Sequence, residues 1–489
     1  MGFKPIILWT DAFIYLLLAF GLAFGGYVLR REHLRAPWQR VAQSPSGMVS
    51  MVVLTGFLVI GLLDSMHFRP VVATRNSGEQ AYAVEVLSLL DKVVSPLRQR
   101  AEKTYSAPFA THLYAKETIE LLGGRQVRAF PRLIYGGAHL KNPEQDRASD
   151  IALRAAIGVG LALILWGAAA SVLLWLLALR RKIGLGACVK IVFRGQSNIP
   201  WSAALLTFLM LLLLAVPATI LSAKYHVLGT DKVGQDVLYL ALKSIRTGLV
   251  IGTLTTLVML PFAVLLGIMA GYFRGWIDDL IQYVYTTLNS IPAVLLIAAA
   301  VLMTQVYMDT HPDLFETVSA RADLRLLFLC LILGITSWTG LCRLLRGEAL
   351  KLREMEYIQA AQAFGVSDFR IILRHLLPNV MHIVMIAIVM DFSGLVLAEA
   401  VLSYVGVGVD PSMISFGTMI NSARLEMARE PMVWWSLTAA FGFMFLLVLC
   451  ANLFSDAVRD AFDPRVQTRT ARLRIVQGRR QDWQKEKKT

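Results

Sequence analysis

Charge is scarce in this chain. Asp, Glu, Lys and Arg together make up 17% of its 489 residues, where a soluble domain of ordinary composition carries about a quarter. Cysteine is scarcer still. The four present, Cys188, Cys330, Cys342 and Cys450, have no paired spacing, which argues against a disulfide framework or a cysteine zinc site. A glycine-rich loop ending in Lys-Ser or Lys-Thr is missing, and so is His-Glu-x-x-His. Neither nucleotide hydrolysis nor zinc-dependent chemistry is therefore expected of this chain, and no metal site or resident cofactor is assigned to it. What the chain has in abundance is apolar surface: 56% of its residues are hydrophobic and the mean hydropathy is +0.58. That composition excludes an ordinary soluble protein and points to a polytopic membrane protein.

A spanning helix needs about 20 mostly apolar residues. Nine stretches meet that need, at 6–29, 47–63, 152–179, 201–223, 248–270, 281–303, 326–342, 380–400 and 433–454, the second being short. Basic residues in short loops set the orientation. With the N-terminus outside, the inside loops hold Arg30, Arg31, Arg35 and Arg40, then Arg180, Arg181, Lys182, Lys190 and Arg194, then Arg343, Arg346, Lys351, Arg353, Arg370 and Arg374. The stretch 224–247 dissents, with four Lys or Arg on the outside. The net charge of +14 reads as membrane topology; the basic tail from Arg465 to Lys488 has Trp483 as its sole aromatic, so nucleic acid is not an expected partner. The first apolar stretch lacks a small-residue cleavage site and is expected to be a retained helix.

The chain divides near residue 190. Residues 1–63 hold two spans, 64–150 an outside segment, 151–190 a third span and linker, 200–456 six further spans, and 457–489 the tail. In the outside segment Val84, Leu87, Leu90 and Val94 keep helical spacing up to Pro96, Pro108 to Leu122 is a second candidate helix, and Gly123–Gly124 and Gly136–Gly137 punctuate it. A helix-rich small domain is expected there, either capping neighbouring subunits or receiving a substrate-delivery protein.

The charged island between the seventh and eighth spans has internal order. Tyr357, Ala360, Ala361 and Phe364 fall at i, i+3, i+4 and i+7, on one face of a short helix, and Gly365 follows where a helix ends on a left-handed residue. Spacing alone leaves open whether that face rests on lipid, packs on the chain's own helices or meets a partner.

This island resembles the EAA loop of ATP-binding-cassette importer permeases. Gln359-Ala360-Ala361 stands for the triplet, Gly365 for the glycine, and Leu377-Pro378 closes it, with His375 as in the dipeptide/oligopeptide/nickel branch. Three further stretches are similar to that branch: Leu228-Gly229-Thr230-Asp231 with Gly234 and Asp236-Val237, then Glu399 through Gly406 and Gly408, then Asp456 to Arg465. The sequence departs from the pattern at Gln235, Tyr239-Leu240, Thr286 and Gln359.

The resemblance implies an all-α type I importer fold, a six-helix core preceded by three extra membrane helices, in a bacterial cytoplasmic (inner) membrane. It implies a sister permease, two ATPase subunits that hold ATP and Mg, and an extracytoplasmic solute-binding protein. It makes Tyr357, Gln359, Ala360, Ala361, Phe364, Gly365 and Pro378 the ATPase-coupling set. Gly229, Thr230, Asp231, Asp236, Glu399, Gly406 and Gly408 become the surface that meets the binding protein. The cargo implied is a di- or oligopeptide, with nickel or another small solute as the alternative.

Polar residues inside spans tend to face a cavity or a neighbouring helix. Asp391, Asn289 with Pro292, and Ser337 are the candidates for a translocation path. A proton-coupled carrier using Asp391 or Glu399 is the rival mechanism, and it leaves the ordered island unexplained.

Overall fold

The computed structural model describes residues 3–72, 81–120, 126–311 and 317–462. Gly123–Gly124 and the tail from 463 onward fall outside the described residues. Strand β1 (Phe3–Ile6) leads into α1 (Trp9–Arg30), α2 (Glu32–Gln43) and α3 (Pro45–Ser65). The outside segment follows with β2 (His67–Val72), β3 (Ala81–Tyr82), β4 (Leu87–Ser88), α4 (Leu89–Val93), α5 (Ser95–Gln99), β5 (Glu117–Glu120) and β6 (Gln126–Ala129). Then come α6 (Pro143–Arg181), α7 (Leu185–Phe193), α8 (Trp201–Ser222), α9 (Val237–Phe273), α10 (Trp276–Ser290), α11 (Ala293–Thr310) and α12 (Val318–Ser337). The chain continues through α13 (Thr339–Arg353), α14 (Glu356–Ala363), α15 (Asp368–Ile371), α16 (Leu377–Val405), α17 (Phe416–Glu426) and α18 (Trp435–Phe462).

Among the described residues, nine helices are long and apolar enough to cross a membrane. The short second stretch is one of them: Ser44 accepts a hydrogen bond from the Gly47 amide and Pro45 opens α3, which runs for 21 residues and is long enough to span. The expected span at 281–303 is corrected. The chain breaks at Ile291-Pro292, where Ile291 is extended (φ −90°, ψ 131°), and the apolar helix is Ala293–Thr310. Proline cannot donate into the preceding turn and disfavours a helical residue before it, which separates α10 from α11.

The outside segment is also corrected. It is built of strands and single-turn helices. β1, from the far N-terminus, pairs antiparallel with β2, which also pairs with β3 and β4, while β5 and β6 form a hairpin. Leu87 faces Phe68 as a strand residue, so the helical spacing from Val84 is interrupted. Helix starts only after Ser88, whose hydroxyl and backbone form a capping box with Asp91. The Pro108–Leu122 candidate likewise gives way to a turn and strand β5. A distant strand partner overrode the local periodicity.

We call the end of the bundle with α14 the inner end and the end with the strands the outer end. Helix α9 is the axis of the core. Near the inner end it lies against α13 so closely that a Cβ on Gly271 would be 2.6 Å from the Ala349 Cβ and the Arg346 carbonyl oxygen. Leu345, Ala349, Leu352, Ile358, Ile371 and Leu376 are buried in one cluster with Tyr272 and Ile268 of α9.

Candidate functional site

The inner loop is a stiff platform. Ile358 of α14 is fully buried in the α9–α13 cluster, and burying an isoleucine side chain contributes about 1.5–3 kcal/mol. The Tyr272 hydroxyl donates to Asp368 Oδ1 at 2.6 Å and accepts from Gln362 Nε2 at 3.1 Å. Arg353 donates to the Tyr272 carbonyl at 2.8 Å, and Arg346 grips Asp278 with two hydrogen bonds of 2.6 and 2.7 Å. Two nitrogens of one planar guanidinium on one carboxylate fix direction as well as distance.

Large apolar side chains remain outside on this platform among polar neighbours. Phe364 is 87% exposed and Tyr357 44% exposed. Packing of Phe364 against the chain's own helices is thereby excluded. Ala360 and Gln359 are exposed, Ala361 turns half inward, and Pro378 is exposed in the first turn of α16. Gly365 sits at φ +72°, and the amide of Val366 reaches back to the Ala361 carbonyl at 3.1 Å. That is the left-handed helix ending expected of it, at no steric cost for glycine. Tyr357 is steadied by Asn379, whose amide donates to its hydroxyl at 3.0 Å. The structure adds Met355, Phe369 and Leu373, all exposed on the same loop. Their apolar type in a polar island was the available signal.

The outer motif is placed differently. Thr230 and Asp236 are buried. The Ser106 amide donates to Thr230 Oγ1 at 2.7 Å, and Trp435 Nε1 donates to the Thr230 carbonyl at 2.9 Å. Asp231 accepts the amides of Val233 and Gln235 and so closes its own turn. Gly229 and Gly234 both have positive φ, and a Cβ on Gly234 would overlap the Glu102 carbonyl. The upstream segment 102–111 thus lies on the motif and covers it.

Asp236 also caps α9 through the Leu238 amide and accepts from His226 Nδ1 at 2.8 Å. His226 Nε2 lies 3.5 Å from Glu102 Oε1, an ion contact, and Glu102 in turn accepts the amides of Ile134, Tyr135 and Gly136. Burial alone would discharge His226, but the flanking carboxylates outweigh it and push the imidazole up to about 9. Burial likewise opposes ionisation of Glu102, and the imidazolium with the three amides brings it down to about 2. His226 and Glu102 were not among the sequence candidates.

Beside this junction lies a second set of charges, with buried acids on buried or half-buried cations. Lys243 of α9 contacts Asp91 at 2.9 Å and Asp64 at 3.1 Å, and Tyr239 donates to Asp91 at 2.8 Å. Arg246 of α9 contacts Asp11 of α1 at 2.6 Å, while Thr10 hydrogen-bonds Asp323 of α12 through both its amide and its hydroxyl. The acids from the upstream half neutralise cations that belong to the core.

Glu399 is buried at the outer end of α16, where Oε1 accepts from Ser403 at 2.7 Å and Ser415 at 2.9 Å. Ser415 caps α17, so Glu399 ties the end of one helix to the start of the next. Gly406 ends α16 at φ +89°, and Gly408 packs on Ser403. Of the path candidates, Asn289 accepts from Thr339 at 3.1 Å, joining α10 to α13. Ser337 is two residues from that pair and half-buried, Pro292 is exposed, and Asp391 is half-buried on α16, sharing no hydrogen bond with them. The structure does not gather these four into one cluster.

Three helices (α1, α3, α6) precede six spans (α8, α9, α11, α12–α13, α16, α18), and an apolar platform projects from a rigid inner loop. This is the architecture of a membrane transport permease. Residues 263–468 match the family described as the binding-protein-dependent transport system inner membrane component. The oligopeptide transport system permease protein OppC of Mycobacterium tuberculosis (strain H37Rv) is 33% identical over 239 residues, 49% of this chain and 76% of that protein. The glutathione transport system permease protein GsiD of Pectobacterium atrosepticum is 31% identical over 243 residues, 50% of this chain and 74% of that protein. The dipeptide transport system permease protein DppC of Bacillus subtilis is 29% identical over 242 residues, 50% of this chain and 69% of that protein. The chain belongs to this family of inner-membrane transport components, and it is a multi-pass inner-membrane protein with the importer permease fold.

Proposed function

We propose that this chain is one of two membrane subunits of an ATP-driven peptide importer, paired with a sister permease and powered by two ATPase subunits that bind ATP and Mg. The observation that carries the reading is Phe364, nearly free of intramolecular contact on a platform held by Ile358, Tyr272 and Arg346. A large apolar side chain held rigid and left bare is suited to fill a partner's pocket. Movement of the ATPases then reaches the bundle through α13, which packs on α9, and alternating access needs such a stiff lever acting on a two-state bundle. A peptide cargo is supported by the three relatives, whose names give oligopeptide, glutathione and dipeptide transport. The solute arrives from an extracytoplasmic binding protein, in keeping with the family description.

The test is co-purification of the ATPases with wild-type and Phe364→Ala chains, alongside uptake of a labelled dipeptide in a strain lacking the chromosomal copy. The variant is expected to insert normally, retain less ATPase and import less peptide. Unchanged ATPase recovery and uptake would return the α14 face to a lipid-resting role. Uptake lost for a solute other than a peptide would retain the permease and overturn the cargo.

A further inference from the structure

A different surface at the same end of the bundle plays no part in the transport function proposed above. Helix α7 joins α6 to α8, and α8 runs from it to the outer end, where α9 begins and returns to α13 and α14. Connectivity therefore puts α7 at the inner end with the platform. Cys188 and Val192, on one face of α7, are buried against α6 and α8. The adjacent face presents Leu185, Val189 and Phe193 at i, i+4 and i+8, exposed by 52%, 37% and 56%. An exposed apolar row on a helix already docked by its other face has no intramolecular cover. Its neighbours are cationic: Arg180, Arg181, Lys182, Lys190 and Arg194 are all exposed. No Asp or Glu occurs anywhere between Asp150 and Asp231 to neutralise them. Arg181 donates to Ser197 at 2.9 Å, which pulls the two ends of the α7 connection together.

We propose that α7 is an in-plane shelf that binds anionic phospholipid headgroups of the inner leaflet. The Leu185–Val189–Phe193 row enters the acyl boundary while the cations meet the phosphates. A short helix with one apolar and one basic face lies in a membrane interface for this reason. Uncompensated Lys and Arg beside it favour an anionic lipid over a zwitterionic one. The shelf fixes the height of α6 and α8 in the bilayer, and with them the upstream half that covers the outer motif.

The test uses the full chain in detergent, exchanged with mixed vesicles of phosphatidylcholine and phosphatidylglycerol and analysed by native mass spectrometry for retained lipid. The wild type is expected to retain phosphatidylglycerol in preference to phosphatidylcholine, and to lose that preference as salt is raised. The Arg180→Gln, Lys190→Gln, Arg194→Gln triple variant should lose at least about ten-fold in that preference. Each cation near an anionic surface is worth roughly five-fold, the equivalent of about 1 kcal/mol. Replacing Lys190 by Arg should preserve it. Equal retention by wild type and triple variant, or a wild-type preference that does not respond to salt, overturns the proposal. Loss of co-purified ATPase by the triple variant with lipid retention intact also overturns it and assigns α7 to a protein partner. Phe364→Ala should leave lipid retention unchanged, so failure of the docking reading and failure of this one remain distinguishable.

Discussion

The inner loop and the outer motif both carry family patterns, yet they use their residues in opposite ways. At the inner end the pattern residues stand clear: Phe364 is 87% exposed and the buried neighbours serve to hold it out. At the outer end the pattern residues are enclosed. Thr230 and Asp236 are buried, and Gly234 gives room to the backbone of Glu102. The lesson is that a motif in this chain marks either a surface kept bare for a partner or a joint filled by the chain itself. Burial separates the two. The upstream half occupies the outer motif, so a binding protein would meet that half or the α16–α17 turn before it met Thr230.

The largest effect is expected at Gly234. Gly234→Val puts a branched side chain where φ is +77° and the Glu102 carbonyl already lies. The expected cost is more than about 3 kcal/mol, from left-handed strain and overpacking together. Recovery of folded chain after solubilisation should collapse; normal yield and normal thermal stability would show that segment 102–111 does not sit on the motif.

Next in size is Lys243→Ala, which strands Asp64 and Asp91 without their cation. The two carboxylates are buried but the Lys243 side chain is 18% exposed, so the cost falls below that of a fully buried pair, on the order of 2–3 kcal/mol. The Asp64→Asn, Asp91→Asn, Lys243→Met triple variant should recover much of that loss, because the buried charges leave together. Thermal unfolding of the three proteins decides it, and a single variant as stable as wild type would show that these charges do not interlock the two halves.

The outer junction should also respond to pH. His226, raised in the fold to about 9 from 6.5, contributes stability that is complete below about 6.5 and lost as pH climbs through about 9. Glu102, lowered to about 2 from 4.5, contributes stability present above about 4.5 and lost as pH falls toward 2. The junction should therefore be tightest between these limits. Its alkaline loss is on the order of 3 kcal/mol. After division by the intrinsic exchange rate, which rises with pH at every amide, the protection of 102–111 should fall between pH 7 and pH 9.5 in the wild type, and His226→Gln should flatten that fall. The inner loop, which has no such cluster, should not follow it.

The smallest expected effect is Phe364→Ala. It costs the fold nearly nothing because the ring touches little, but removes about 1–2 kcal/mol of partner affinity. Thermal stability of the isolated chain should stay within about 0.5 kcal/mol of wild type while ATPase recovery drops. A large fall in stability with normal recovery would reverse the contrast between the two ends.

Much of this was present in the order of residues. Among the described residues, nine apolar runs yield nine long helices, the sixth displaced from 281–303 to Ala293–Thr310 by Pro292, because a helix satisfies its own backbone. The α14 face and the left-handed Gly365 also follow from positions within one turn of each other. Even the dissenting cations of 224–247 were visible. Their explanation was not: Lys243 and Arg246 find their acids at Asp91, Asp64 and Asp11, and Thr10 meets Asp323 across 313 residues. Local periodicity carries no record of such partners. For the same reason helical spacing runs through Leu87, which pairs as a strand with Phe68. Local sequence therefore determined which runs are long apolar helices and where the α14 helix ends on Gly365. Only the tertiary structure decided that the upstream half is the cover and counterion of the outer motif, because burial and charge pairing arise when segments distant in sequence meet.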